Sequence, residues 1–426
     1  MATAFQQVRH CPNIRARWVV ALAVSGAMAI SYCDRQAFPW AVRLIAADIP
    51  FGNETKATLD TAFLATYGLM YLGGGWLLDR LGTQRGFLVI MTFWSLACAS
   101  QGLALGLVTL GISRLLLGAG EGGGFPAATR VVAEWFDQHD RSTAMGLVNA
   151  GTAIGAVLAP ALIGAIVSNG NAWGLAAWRW VFFATGAMGL AWALCWLVGY
   201  HAPALATACD DNAVGPVVTL GDLVRHRAVR GIFLAKFLSD GAWYFYLFWL
   251  PKYLFEMHGL DLGHAVALGW IPYAAAGLGS VGGGWLSARL LRRGRSLGFA
   301  RKFALGLSAA CMPWVMFAPA CHAVWPVIAL FSLAFFGQQS WSTLLMTLPA
   351  DLVPVSGLGR LAGLVGLGGA FGGIVVGQIA GRALDTGLGY TPVLAVAALL
   401  HPLAFVLVCR EIPDLRKLDF NTRALS

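Results

Sequence analysis

Apolar stretches of about twenty residues, the length that crosses a bilayer core as helix, recur along this chain from Trp18 almost to its end. Short polar or basic links separate them. Read at that length, the pattern predicts an all-α membrane protein of twelve transmembrane helices. They fall at 18–40, 57–78, 86–106, 108–130, 143–168 and 178–200, then at 230–254, 265–288, 302–320, 324–348, 357–384 and 390–409. Composition agrees. Of 426 residues 58% are hydrophobic and 12% charged, against roughly 25% charged in an ordinary soluble chain. A water-soluble fold of this size lacks the charge to cover its surface. The basic start, the apolar run Trp18–Ile30 and Ala27-Met28-Ala29 together look like a signal peptide. Because similar runs follow throughout, a first transmembrane helix is the expectation instead.

Lys and Arg set the orientation, since basic loops stay cytoplasmic. Twenty-one of the 29 fall on the N-terminal segment and after even-numbered helices. Five (Arg43, Lys56, Arg179, Lys252, Arg382) fall opposite, and three (Arg35, Arg114, Lys236) lie within spans. Both termini are therefore expected in the cytoplasm, and the net charge of +9 reflects this bias rather than nucleic-acid binding. The polar interval 201–229 divides an N-terminal six-helix half, 1–200, from a C-terminal one, 230–426. The eight cysteines contain no CxxC pair, which speaks against a zinc site or a disulfide framework.

The halves carry a repeat. GGGW at Gly73–Trp76 runs into LLDRLGTQR, and GGGW at Gly282–Trp285 runs into LSARLLRRG, each at the end of its half's second helix. Two six-helix halves in parallel repeat are a transporter architecture, with the substrate between them near mid-membrane.

Gly75, Asp79, Arg80, Gly82 and Arg85 satisfy G-x-x-x-D-R-x-G-x-x-R, and in this the chain resembles the major facilitator superfamily, whose helix 2–3 loop motif acts in conformational change. Ala288 stands where the second copy's aspartate would be. Within the superfamily, SYCDRQ (31–36), RLLLGAGEGGGFP (114–126) and AEWF…NAGTAIGAVLAP (133–160) resemble the anion:cation symporter family. KFLSDGAWYFYLFWLPKYL (236–254) and GQQSWSTLLMTLPADLVP (337–354) are similar to its bacterial hexuronate transporters. The resemblance spans essentially the whole chain. Ser31 and Gln338 depart from it, where Asn and His are common.

Charges inside apolar spans are costly and mark function by default. Arg114, Gly118 and Glu121 share one helix face, and Asp34 and Arg35 lie late in helix 1. A guanidinium keeps its charge when buried and grips a carboxylate bidentately. A buried carboxylate beside it feels opposing effects of desolvation and positive charge, so its proton can switch. The plainer alternative is mutual neutralisation between helices. The resemblance implies that Arg35 binds the substrate carboxylate with Arg114 in support, while Asp34 and Glu121 carry protons. The four are expected to form one cluster. Lys236 matches a substrate-contacting position of the family, although Asp240 one turn on offers a simple i, i+4 ion pair. Tyr32, Tyr67, Asn149, Gln339, Trp341 and Ser342 are candidates for the substrate hydroxyls, or for ordinary interhelical hydrogen bonds.

Gly118, Gly120 and Gly123 satisfy GxGxxG, but inside a membrane-length helix rather than after a strand, so no nucleotide is expected. His322 and His401 are expected near membrane edges, with no metal or catalytic role. No paired nucleophile and base suggests an enzyme. The resulting expectation is a cofactor-free, monomeric symporter in a bacterial cytoplasmic membrane. It would bring an organic monoanion, first a hexuronate, into the cell with protons. An uncoupled or exchanging transporter of other small carboxylates, and a membrane sensor that binds without transporting, are the alternatives.

Overall fold

The structure, a computed structural model, describes residues 14–136, 140–170, 174–201, 219–353, 355–416 and 418. Its N-terminal half comprises α1 (Ile14–Asp48), α2 (Asn53–Gln101), α3 (Leu107–Glu121), α4 (Gly124–Trp135), α5 (Arg141–Ser168) and α6 (Ala177–Gly199). A short α7 (Leu220–Arg225) leads into α8 (Arg227–His258), α9 (Leu262–Arg292) and α10 (Leu297–Ala310). A 3₁₀ helix (Pro313–Ala320), α11 (Val324–Leu345), α12 (Leu348–Leu352), α13 (Val355–Asp385) and α14 (Tyr390–Glu411) complete the chain. Seven helical segments among the described residues are long and apolar enough to cross a membrane. Leu69, Leu194, Val198, Leu278 and Val281 turn outward on exposed faces, a surface suited to hydrocarbon rather than water.

Several expected boundaries move. The second and third apolar stretches follow each other without a gap as α2, 49 residues in which two helices meet at a kink; a Cβ on Gly86 would lie 3.4 Å from Leu78 Cα, so the second of them folds back along the first. The kink lies at Gly82, whose φ of 73° and ψ of 169° are non-helical and favour glycine. The fourth stretch breaks at Gly122-Gly123 into α3 and α4. The ninth begins earlier, at Leu297, and tightens to 3₁₀ from Pro313, where proline cannot donate to the α ladder. Of the expected central loop 201–229, residues 202–218 lie outside the described residues, and the remainder is already helical from Leu220.

Within the first half α2 packs on α3 and α6, and α1 on α5; within the second, α9 packs on α11, and α8 on α13 and α14. Between halves, α2 meets α13 and α5 meets α9. Exchanging the halves converts one of these contacts into the other. The GGGW repeat has a matching physical basis. A Cβ on Gly74 would lie 2.9 Å from Gly123 Cα, and one on Gly283 would lie 3.0 Å from Ser340 Cα. In each half the middle glycine lets the second helix touch the backbone of the fourth.

One end of the bundle gathers the start of α1 and the last described residues. There Arg17 pairs with Asp140, Gln84 donates to the Tyr200 carbonyl, and Arg227 pairs with Glu411. The opposite end is where the halves close on each other. α2 begins after Gly52, which has no side chain to cap it. The cap comes from the other half: Asp385 accepts the backbone N–H of Asn53 (3.0 Å) and Glu54 (2.7 Å) and the Asn53 amide (2.8 Å). Arg382 approaches Glu54 at 3.5 Å, and Gln378 donates to Thr61 at 2.8 Å.

Asp385→Ala should leave two helix N–H groups uncapped at this interface, at a cost of about 0.5–2 kcal/mol. With spin labels on the exposed Thr58 and Thr386, the long-distance population should grow. An unchanged distribution would mean that the cap does not hold this end shut.

Candidate functional site

The centre of the first half is built around Arg35, which is 3% exposed. α1 places its guanidinium between the rings of Tyr32 (4.9 Å) and Tyr67 (4.6 Å), with Phe63 at 5.5 Å. Its Nε and Nη2 donate to one oxygen of Glu121 at 3.2 and 2.9 Å, and Ser31 Oγ donates to the same oxygen at 3.2 Å. Glu121 Oε1 is buried without a partner. α3 reaches this depth because Gly118 and Gly122 lie on α2's backbone. A Cβ on either would sit 2.1 Å from the Phe63 carbonyl or 2.5 Å from that of Tyr67.

The expected four-residue cluster is divided. Arg114, fully buried, points away from Glu121: Nη2 donates to Asp60 at 3.0 Å and Nε to the Leu59 carbonyl at 3.3 Å. Asp60 also pairs with Lys56 at 2.7 Å. Lys56, expected in a link, is a buried residue of α2 whose Nζ stands 4.2 Å from the ring centre of Trp249 in α8. Asp34 is fully buried and accepts a weak bond from Cys98 Sγ at 3.4 Å.

The second half contributes a smaller cluster. Lys236 Nζ lies 3.0 Å from Asp240 and donates to Ser342 Oγ at 3.3 Å, so the i, i+4 ion pair exists and Ser342 joins it. Trp341 does not. It points the other way, into the core with Leu305, Leu344 and Ala404, edge-on to His401 at 5.7 Å. His401 is itself buried and bonded to Gln338. Gln339 is half-buried on α11, and Asn149 is exposed on α5. Asn149 sits one turn before Ala153, the residue that contacts Gly277 of α9. It therefore faces the seam between the halves toward the terminal end. Tyr244, one turn after Asp240, packs at the seam, where a Cβ on Gly373 would lie 2.5 Å from its ring and 2.8 Å from Leu64 of α2; it was missed from sequence.

The loop motif acts at the terminal end. Asp79 pairs with Arg130 of α4, which also holds Glu134 at 3.2 Å, and Thr83 donates to Glu134. Arg80 stacks on Trp76 at 4.3 Å. Gly82 supplies the left-handed turn, Arg85 is exposed, and Gly75 has open space around it. Among the described residues no group of three His, Cys, Asp or Glu is placed to hold a metal ion.

Chemically, the centre offers one cation from each half, Arg35 held by Glu121 beside the Tyr32 and Tyr67 rings and Lys236 held by Asp240 beside the Ser342 hydroxyl. Such groups fit a small hydroxylated anion.

The family model described as Major Facilitator Superfamily matches residues 24–377. A D-galactonate transporter of Escherichia coli O6:H1 (strain CFT073) is 29% identical, over 93% of this chain and 96% of its own. A hexuronate transporter of Escherichia coli K12 is 26% identical, over 92% and 93%. Among solved structures, a bacterial homologue of the human lysosomal transporter Spinster superposes with a TM-score of 0.72 at 17% identity, over 94% of this chain and 96% of the other. That likeness concerns the fold. All three are transporters, not enzymes.

Removing Asp60 should be worse than removing Lys56. Asp60→Ala strands two buried cations, a loss of about 3–5 kcal/mol, whereas Lys56→Met leaves Asp60 and Arg114 paired. Thermal unfolding in detergent should rank them in that order. Equal losses would show that the ion pairing is not what the site needs.

Proposed function

The chain belongs to the Major Facilitator Superfamily, and we propose that it imports a sugar-acid monoanion together with protons by alternating access. The substrate class follows from the relatives named as transporters of D-galactonate and hexuronate. Twelve spans in two halves, 1–200 and 230–426, cytoplasmic termini, a bacterial inner-membrane location and a monomeric working unit belong to the same reading. The Lys and Arg asymmetry supports the orientation.

One observation carries the coupling. Arg35 is held by a single oxygen of Glu121, a group that can take a proton. While ionised, Glu121 competes with any carboxylate for the guanidinium. Once protonated it no longer pairs as an anion, and Arg35 is free to hold the substrate carboxylate bidentately. Tyr32 and Tyr67 then border the sugar, with Lys236 and Ser342 facing from the other half and Gln339 and Asn149 near the seam. Trp341 supports α11 from behind. Asp34 is the second proton carrier.

Coupling also has an electrical motive. The membrane potential opposes anion entry by about 2.3 kcal/mol per charge per 100 mV. Two protons with one monoanion reverse the sign. The halves meet at the Asp385 end, and Asn149 is exposed toward the terminal end, an arrangement suited to release on the cytoplasmic side.

Labelled D-galactonate and glucuronate should accumulate in vesicles under an inward proton gradient and lose accumulation when it is collapsed. Equal accumulation without the gradient would replace symport by exchange. Arg35→Ala should abolish substrate binding. Glu121→Gln should retain exchange but lose proton-driven accumulation; normal accumulation by this variant would remove Glu121 from the proton path.

A further inference from the structure

Lys56, Asp60 and Arg114 are 0%, 3% and 0% exposed. Together they carry two positive charges and one negative. Arg35 and Glu121 neutralise each other, and Asp34, the other buried carboxylate of this half among the described residues, bonds Cys98 instead. A net charge in a dry, apolar setting is expensive beside apolar packing. The triad also has unused donors. Arg114 Nη1 is buried with no acceptor, although a buried, charged N–H normally finds one. Lys56 Nζ donates to Asp60 and otherwise stands over the Trp249 ring.

We infer that the triad is a second anion position, which takes the substrate's carboxylate when the halves part at the Asp385 end. This rests on the sugar-acid reading above. The cover over Lys56 is Trp249, a residue of the other half, and the triad begins one turn inside Asn53, where Asp385 caps α2. Parting there lifts the indole from the ammonium and opens the triad, in which Nη1 of Arg114 and Nζ of Lys56 still have N–H groups to donate. A carboxylate oxygen satisfies each and cancels the excess charge. The position also leads somewhere. Lys56, Asp60, Phe63 and Tyr67 fall at i, i+4, i+7 and i+11, one face of α2. The Phe63 ring lies 4.8 Å from the Arg114 guanidinium and 5.5 Å from that of Arg35. One aromatic ring separates the two cations, so a carboxylate held by the triad moves past it to reach Arg35.

The test is directional. Lys56→Met keeps the Asp60–Arg114 pair and removes the excess charge. With labelled D-galactonate presented from the Asp385 side of oriented proteoliposomes, KM should rise about tenfold, the loss of one charge-assisted hydrogen bond. From the terminal side KM should stay at the wild-type value, and Lys56→Arg should restore the first value. Equal KM changes from both sides, or none, overturn the proposal. A second measurement needs no transport. In the Arg35→Gln/Glu121→Gln background, which removes the central cation, acetate should still raise the unfolding temperature, and adding Lys56→Met should abolish that rise. Should wild type move no sugar acid while the acetate effect stands, the transport reading fails and the anion position survives. No acetate effect in that background, with normal galactonate uptake, rejects the anion position alone.

Discussion

A guanidinium cannot shed its charge when helices carry it out of water, so everything around Arg35 is arranged to make that charge tolerable. Glu121 neutralises it, Ser31 holds Glu121, and Tyr32, Tyr67 and Phe63 lend their ring faces. The carboxylate reaches the arginine only because α3 lies on α2's carbonyls at Gly118 and Gly122. Close helix approach and a buried ion pair are thus one constraint. Relax the glycines and the pair separates; remove the pair and the close approach encloses an unpaired charge. In lipid, where apolar side chains gain little by leaving one another, such packing and pairing carry most of the cohesion.

The two halves solve this problem with different chemistry on a shared frame. The first uses arginine and glutamate from different helices, the second lysine and aspartate one turn apart on α8. The frame repeats more faithfully than the charges, as Gly74 and Gly283 illustrate. Near the terminal end the first half knits α2 to α4 through Asp79, Arg130, Glu134 and Thr83. The second joins α9, α10 and Asp351 through Ser287 and Arg301. Ala288, which lacks the aspartate's charge, is passed over, and its neighbour Ser287 makes the bond.

Much of this was legible in the sequence, for identifiable reasons. Membrane helices announce themselves by apolar length, and Arg35 and Glu121 by being charged where charge is costly. Lys56 was read as a link residue just before the second span, and Asp60, inside that span, was given no role. They are buried by Trp249, far along the chain, which no local pattern reports. The same blindness placed Arg114 against Glu121, its neighbour on the helix face, instead of Asp60 on the next helix. Trp341 and Ser342 differ by one position, about 100° around α11, and only packing decides which faces the seam. The two helices of α2 meet at a single non-helical residue, Gly82. That glycine was recognised as part of the motif between two helices, and the kink between them falls on it.

Asp385 capping α2 from the opposite half has a thermodynamic consequence. A helix cap contributes on the order of 1 kcal/mol, which changes a two-state ratio about fivefold. The bias that such a cap gives to one orientation of the halves is therefore slight. A field acting on one moving charge, or a ligand with modestly unequal affinity for the two arrangements, is of the same size. A protein balanced on terms this small is tilted by its surroundings, and its resting state belongs to the membrane it sits in as much as to its own contacts.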